Sequence, residues 1–415
     1  MLELKDFEAA ADRLKNVIHN IPLSTSCTFS GMTGAEVYLK YENQQKTGSF
    51  KVRGAYNKIM KRYAEGDLHA VVASSAGNHA QGVAFAASSV GVKSTIVMPR
   101  STPIAKVSAT QGYGAEVVLA GNIYDEAYAK AREICEETGA EFIHPFDDED
   151  VMAGQGTIAL EILRDLPFVD MIFVPAGGGG LISGVAACAK QINPRIQVIG
   201  VQAEGAPAIA NSFRAGTLTP SDNVRTIADG IAVKTPGENT FQYIQKYVDR
   251  VVTVSDDEIA SAVLLLLERC KQVVETSGAA SLAAVLNNKV DVKGKKVVCV
   301  LSGGNIDVSF IHKIVENGLV TRCRHLKFST IMPDAPGALE RFAHLVAQQN
   351  ANIIRFQHDR VQADLDIGEA IIQVVCEVGG VEHAKRLLDE MSRQGYQVFT
   401  SQILSLIHIS EPTRH

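Results

Sequence analysis

Leu4, Phe7, Ala11, Leu14 and Ile18 recur at steps of three and four, which predicts an amphipathic helix over residues 2–18. Beyond it the rhythm changes to short apolar runs, each followed by a turn and a helical stretch. Residues 37–41 predict a strand, 42–49 a polar loop, and 50–63 a helix. Residues 70–73 predict the next strand, leading through SSAGNH into the helical run AQGVAFAASS. Residues 94–98 and 117–119 continue the series, the latter before a charged helix around 124–137. Residues 171–174 run through PAGGGGLISG into VAACAK, 197–201 follow, and 297–301 enter SGGN. Repeated strand–turn–helix units predict an α/β fold of mostly parallel, open sheets with helices on both faces. Ligands in such sheets bind beyond the carboxyl ends of the strands.

The pattern changes after about residue 320. Residues 326–332 predict a strand, 337–349 a helix, 353–357 and 370–378 strands, 381–392 a helix and 396–400 a strand. That order is βαββαβ, the ferredoxin-like arrangement, and it is complete by itself. Residues 1–321 and 326–402 are therefore expected to form separate domains. The last twelve residues, 404–415 (LSLIHISEPTRH), fit neither and resemble a translated sequencing adapter; a genuine disordered tail is the alternative.

Composition narrows the function classes. Of 415 residues, 46% are hydrophobic and 21% charged, which suits a folded chain with a sizeable core. The net charge is −6 without a basic face-forming run, so no nucleic-acid partner is expected. The longest aliphatic stretch, residues 263–267, is too short to span a bilayer, and no membrane partner is expected. The segment MLELKDFEAAADR has neither a basic n-region nor an apolar h-region. Seven scattered cysteines without a C-x-x-C argue against a disulfide framework or a zinc site, and a cytoplasmic location is expected. Neither H-E-x-x-H nor a P-loop motif occurs.

The turns carry the candidate chemistry. Gly177, Gly178, Gly179 and Gly180 join a buried strand to a helix, so backbone N–H groups can converge on an anion at a positive helix end. A phosphate is the natural ligand; close strand–helix packing is the alternative. Glu204 closes the next strand as a ribose-binding acid would, but none of these glycines begins a G-x-G-x-x-G, and the dinucleotide reading fails. A second turn, residues 74–79, offers hydroxyls, amides and a helix start to a carboxylate, or is an ordinary capped turn. Its His79, taken alone, reads as a packing histidine. A third, Ser302-Gly303-Gly304-Asn305, follows a near-continuous apolar strand. Lys51 opens a predicted helix beside Phe50, and an amine held against apolar groups can lose basicity and form a Schiff base. One lysine, one phosphate cradle, one carboxylate turn and one further polar turn together describe a site for pyridoxal phosphate and an amino acid.

GSFKVRGA, SSAGNHAQG, GGGGLISG and SGGN, in this order, resemble the serine/threonine dehydratases of the fold-type II pyridoxal-phosphate enzymes. The likeness spans residues 5–402 and is greatest to threonine ammonia-lyases carrying one C-terminal ACT domain, DAPGAL at residues 334–339 matching the ACT turn. The resemblance implies a small subdomain at roughly residues 45–150. It implies that Lys51 anchors pyridoxal 5'-phosphate and takes the substrate Cα proton, that Phe50 packs on the ring, and that Asn78 bonds the ring 3′-oxygen. Gly177, Gly178, Gly179, Gly180 and Leu181 would hold the phosphate, and Ser302 would face the pyridine nitrogen. Ser75, Ala76, Gly77, Asn78 and His79 would form the substrate-carboxylate loop.

The implied reaction is β-elimination from L-threonine to 2-oxobutanoate and ammonia, with L-serine as a second substrate. A neutral Ser302 makes the ring a weaker electron sink and favours quick expulsion of a β-leaving group. Related racemases place a serine where this chain has Ala76, which cannot move a proton, so a racemase ranks below a dehydratase. A serine-preferring dehydratase and a non-catalytic amino-acid sensor stay as alternatives. Some relatives bind a divalent cation through a glutamate and an aspartate six residues later. Glu204 is present, but the second position is Ala210, so a tight site is doubtful and a looser cation site at Glu204 stays open. In the ACT-like domain Asp334, Pro336 and Gly337 form a turn for an amino-acid effector such as isoleucine or valine; ordinary capping is the alternative. A homodimer or homotetramer is implied.

Overall fold

The structure is a computed structural model that describes residues 1–360 and 366–400. The chain divides into two compact units, Met1–Asp307 and Val308–His415. The first unit thus ends before residue 321, the boundary expected from the sequence. Helix Val308–Thr321 groups with the second unit because it packs on strand His325–Pro333, and its Glu316 pairs with Arg355 at 3.0 Å. The tail 404–415 lies outside the described residues.

The first unit holds two sheets. The smaller has the order Glu116–Leu119, Lys93–Met98, Ala70–Ser74, Glu141–Phe142, all parallel, and falls within the expected subdomain. The larger runs Ser24–Thr25, Glu36–Tyr41, Lys296–Leu301, Met171–Pro175, Gln197–Ala203, Arg250–Val254, parallel except for its first strand. Helices cover both faces, so strands such as Val71-Val72-Ala73 are buried on both sides and read as apolar runs without alternation.

Strand Lys296–Leu301 lies between Glu36–Tyr41 and Met171–Pro175. The loop leading to Lys51, the turn at Ser302 and the turn at Gly177 therefore leave neighbouring parallel strands at the same, carboxyl, edge. Helix Gly180–Ile192 is drawn close to helix Glu149–Asp165. A Cβ at Gly184 would lie 2.2 Å from the Met152 carbonyl oxygen, nearer than any side chain permits.

In the second unit the order is βαββαβ, as expected. Its antiparallel sheet runs Asn352–Asp359, Glu369–Glu377, His325–Pro333, Gln397–Phe399. Leu326, Phe328 and Met332 alternate inward and meet helices Ala338–Gln348 and Val381–Arg393. Phe342 centres this core, its ring 5.7 Å from Tyr396 and 6.4 Å from Phe328. Among the described residues no helix is long and apolar enough to cross a membrane.

Candidate active site

Lys51 is the first residue of helix Lys51–Glu65, with Phe50 as the N-cap. Its Nζ donates to the Pro145 carbonyl at 2.6 Å and sits 5.3 Å from the centre of the Phe50 ring. Burial pushes the amine down to about 8, against the pull of the Glu275 carboxylate. An amine so placed is neutral far more often than a solvated lysine, as a nucleophile or base near neutral pH requires.

The loop that receives Lys51 also shapes the glycine turn. Phe146, next to Pro145, packs where a Cβ of Gly178 would come within 2.3 Å of its ring and a Cβ of Gly180 within 2.8 Å of its backbone. Thr240 Oγ donates to the Gly178 carbonyl at 2.7 Å, and the Thr240 N–H donates to Asp147 at 2.9 Å. Gly179 has φ +103°, a left-handed conformation that suits glycine. Close packing and anion binding, alternatives in the sequence, are thus compatible here. The N–H groups of Gly177, Gly178 and Gly179 have no protein acceptor among the described residues. Those of Gly180 and Leu181 open helix Gly180–Ile192 and lack an intrahelical partner by position. A row of unclaimed donors at a helix N-terminus beside a buried amine fits a phosphate-bearing aldehyde.

The serine-rich and SGGN turns meet through Asn78 and Asn305. The Phe50 N–H donates to the Ser302 carbonyl at 3.0 Å, and the Gly304 N–H to Gly48 at 2.8 Å. Ser302 is buried. Asn78 opens helix Asn78–Ser89; its Oδ1 accepts from Asn305 Nδ2, which also donates to the Thr47 carbonyl at 3.0 Å. Asn78 Nδ2 donates to both oxygens of Glu275, at 2.8 and 3.0 Å. In the turn before it, the Gly77 N–H bonds Ser75 Oγ at 3.2 Å. Ala76 sits between them with only a methyl group.

His79 turns inward, its Nε2 2.8 Å from the Ile143 carbonyl. Burial and the nearby Lys51 push it down to about 3, so the ring is neutral and packs as a core histidine. Only its position at the helix start remains available to a substrate. His144 Nδ1 accepts from the Asp147 N–H at 2.8 Å; burial lowers it to about 4, with Asp147 opposing. Glu204 lies 3.9 Å from Lys289 Nζ, which also pairs with Glu258 at 2.9 Å. A built-in ammonium thus stands beside the one proposed cation ligand, and among the described residues no cluster of acidic, histidine or cysteine side chains suits a metal ion. Asp334 pairs with Arg360 at 3.2 Å, and Gly337 is the N-cap of helix Ala338–Gln348 with φ +83°.

Within the first unit the structure links Lys51 through Pro145–Phe146 to the glycine turn, Phe50 to Ser302, and Asn78 to Asn305 of the SGGN turn. Sequence reasoning missed Glu275 and the Pro145–Phe146 contact. An acid just before a helix, or a Pro-Phe pair in a loop, carries no distinguishing local pattern.

Residues 14–303 match the family described as pyridoxal-phosphate dependent enzyme. The chain is 50% identical to an L-threonine ammonia-lyase from Thermotoga maritima, over 96% of this chain and 99% of the relative. It is 48% identical, over the same shares, to an L-threonine ammonia-lyase from Geobacter sulfurreducens. Among solved structures it is similar to the processed form of threonine deaminase isoform 2 from Solanum lycopersicum. That likeness has 39% identity and a TM-score of 0.72, covering 76% of this chain and 94% of that one. The matched span contains the buried lysine, the glycine turn and Ser302, so the chain belongs to the pyridoxal-phosphate dependent enzymes, within their serine/threonine dehydratase family.

Proposed function

We infer that the protein is a pyridoxal-phosphate-dependent ammonia-lyase that converts L-threonine to 2-oxobutanoate and ammonia and also accepts L-serine. The observation that carries this reading is the convergence of a buried, weakly basic Lys51 with unclaimed glycine N–H groups through one shared loop, Pro145–Phe146. Turnover assays with threonine and serine, scored for oxoacid and ammonia, test it. Racemised amino acid without oxoacid would favour the racemase alternative instead.

When bound, the cofactor supplies an electrophilic carbon and an electron sink for the substrate Cα. Lys51 would be its covalent anchor and the base that takes the substrate Cα proton. Gly177 to Leu181 hold the phosphate through their N–H groups. Phe50 would pack on the ring, Asn78 would offer it an amide N–H, and Ser302 would offer its nitrogen a neutral hydroxyl. The N–H groups of Ser75 to His79 orient the substrate carboxylate, while the ring of His79 stays in the core. Ala76 leaves the opposite face without a proton donor, which supports elimination over racemisation.

Ser302→Asp tests the neutral-ring argument. A carboxylate there would hold the ring nitrogen in its protonated form and make the cofactor a stronger electron sink, so elimination should slow and side transamination should appear. Unchanged kinetics with a normal visible spectrum would count against it.

The second unit is read as a ferredoxin-like ACT domain, supported by its βαββαβ order and antiparallel sheet. Its turn at Asp334, Pro336 and Gly337 is the candidate effector site, and Arg360 pairs with Asp334 there. Such control is typically worth about 1–3 kcal/mol of coupling. Calorimetry on the full-length protein with isoleucine and valine should show binding by one of them together with altered threonine kinetics. Absence of heat with either, and unaltered kinetics, leaves this unit as an assembly element in a homodimer or homotetramer.

A further inference from the structure

We propose that Glu275 is a positioning residue of the reaction: its carboxylate fixes the rotamer of the Asn78 amide, so that an N–H rather than a carbonyl oxygen faces the cofactor ring. This rests on the lyase reading of the same site.

The geometry is specific. Glu275 is the N-cap residue of helix Thr276–Leu286, a helix buried along nearly its whole length. Its own N–H donates to the Gly303 carbonyl at 2.9 Å. A Cβ on Gly303 would come within 2.4 Å of Glu275 Oε1, so the carboxylate lies directly over the glycine that follows Ser302. Burial is severe enough to push the carboxyl up to about 7, with the Asn78 hydrogen bond opposing. A buried acid is costly unless its oxygens are used, and here Asn78 Nδ2 reaches both of them.

An asparagine amide has two faces of similar shape and opposite hydrogen-bonding sense. At Asn78 both ends are held. Asn305 donates to Oδ1, and Glu275 accepts from Nδ2. A single Nδ2 proton directed between the two Glu275 oxygens makes both contacts, which leaves the second proton. That proton is the one available to an anionic ring oxygen. If the amide turned over, Oδ1 would meet the Glu275 carboxylate and the ring oxygen, and Nδ2 would meet the Asn305 donor; every contact would be repulsive. Glu275 thus enforces the donor orientation from a position behind the side chain that makes the contact.

The test is a double-mutant cycle on reconstituted full-length protein, with pyridoxal phosphate as the probe. Glu275→Gln conserves shape but offers one acceptor oxygen where two are used. It should weaken cofactor binding by about ten-fold, the scale of one hydrogen bond to a charged group. It should also move the visible band of the bound cofactor and lower kcat with little change in KM. Asn78→Ala should do at least as much. The double variant should match Asn78→Ala in cofactor affinity, because Glu275 reaches the cofactor through Asn78. Glu275→Asp, which keeps both oxygens, should recover part of the affinity. Two results would overturn the assignment. One is a cofactor affinity and visible band unchanged in Glu275→Gln. The other is a fully additive double variant, which would make Glu275 a direct counter-charge for Lys51 instead. Cofactor affinity and spectrum are read without substrate, so a protein that binds cofactor normally but ignores threonine would defeat the lyase reading and leave this one to be judged on the cycle.

Discussion

Lys51→Ala should fold and bind pyridoxal phosphate only loosely, without the yellow lysine-bound chromophore, and should lose nearly all threonine turnover. Two functions vanish with one amine, the covalent anchor and the Cα base, and a positioned base alone is typically worth roughly 10²–10⁴-fold in rate. The fold should survive because the wild-type amine is buried against its preference for water, and its hydrogen bond reaches only a loop carbonyl, that of Pro145. Reconstitution of the wild-type apoprotein gives the same site a pH signature. The free amine is the attacking species, and with its pKa lowered to about 8 the rate of chromophore formation should rise with pH and level off above about 8. An ordinary solvated lysine would keep rising toward its own pKa near ~10.4. A yellow, active Lys51→Ala protein after borohydride treatment and dialysis would remove Lys51 from the site.

Much of this site is legible in the sequence because its chemistry is written in backbone terms. Four successive glycines after an apolar strand, and a serine-rich turn before a helix, announce N–H groups turned toward an anion whatever the rest of the chain does. Parallel strands buried on both faces also declare themselves as short apolar runs, and so do the alternating strands and helices of the second unit. What stays illegible depends on distance in sequence. Residues 205–295 carry no motif, yet they supply strand Arg250–Val254, helix Thr276–Leu286 and Glu275. Glu275 reads locally as an acid at a helix start, an ordinary dipole-favoured position. Its meaning comes from Asn78, 197 residues earlier, which no local pattern encodes. The strand order within each sheet is hidden in the same way, because it is fixed by packing and not by the apolar runs. The boundary at Asp307 is hidden too, because helix Val308–Thr321 follows the first unit directly in sequence and is bound to the second through Glu316 and Arg355.

Arg53 offers the largest stability effect. It stands two residues after Lys51 on the same helix, is fully buried, and uses all five of its N–H donors. Nε and Nη2 take the Glu42 carboxylate at 2.7 and 2.8 Å, Nη1 bonds Thr157 at 3.1 Å, and Nη1 and Nη2 reach Glu161 at 2.6 and 2.9 Å. Lys40, also buried, shares Glu161 at 2.6 Å. The cluster is therefore two cations and two carboxylates, joining helix Lys51–Glu65 to helix Glu149–Asp165 and to the end of strand Glu36–Tyr41. Arg53→Met leaves Glu42, whose side chain is 0% exposed, with no cation. Breaking a buried pair in this way typically costs about 3–5 kcal/mol. The variant should show that loss in the urea midpoint of the apoprotein and bind cofactor more weakly, because the helix that carries Lys51 is loosened. Arg53→Met/Glu42→Leu should be more stable than Arg53→Met alone, since it removes the stranded charge while Glu161 keeps Lys40. Replacing buried ion pairs by apolar groups of similar volume is often neutral. A single variant within ~1 kcal/mol of wild type, inside the range of an exposed pair, would mean that water reaches Glu42. A double variant less stable than the single one would mean that the cluster's hydrogen-bond geometry, and not its charge balance, holds the two helices together.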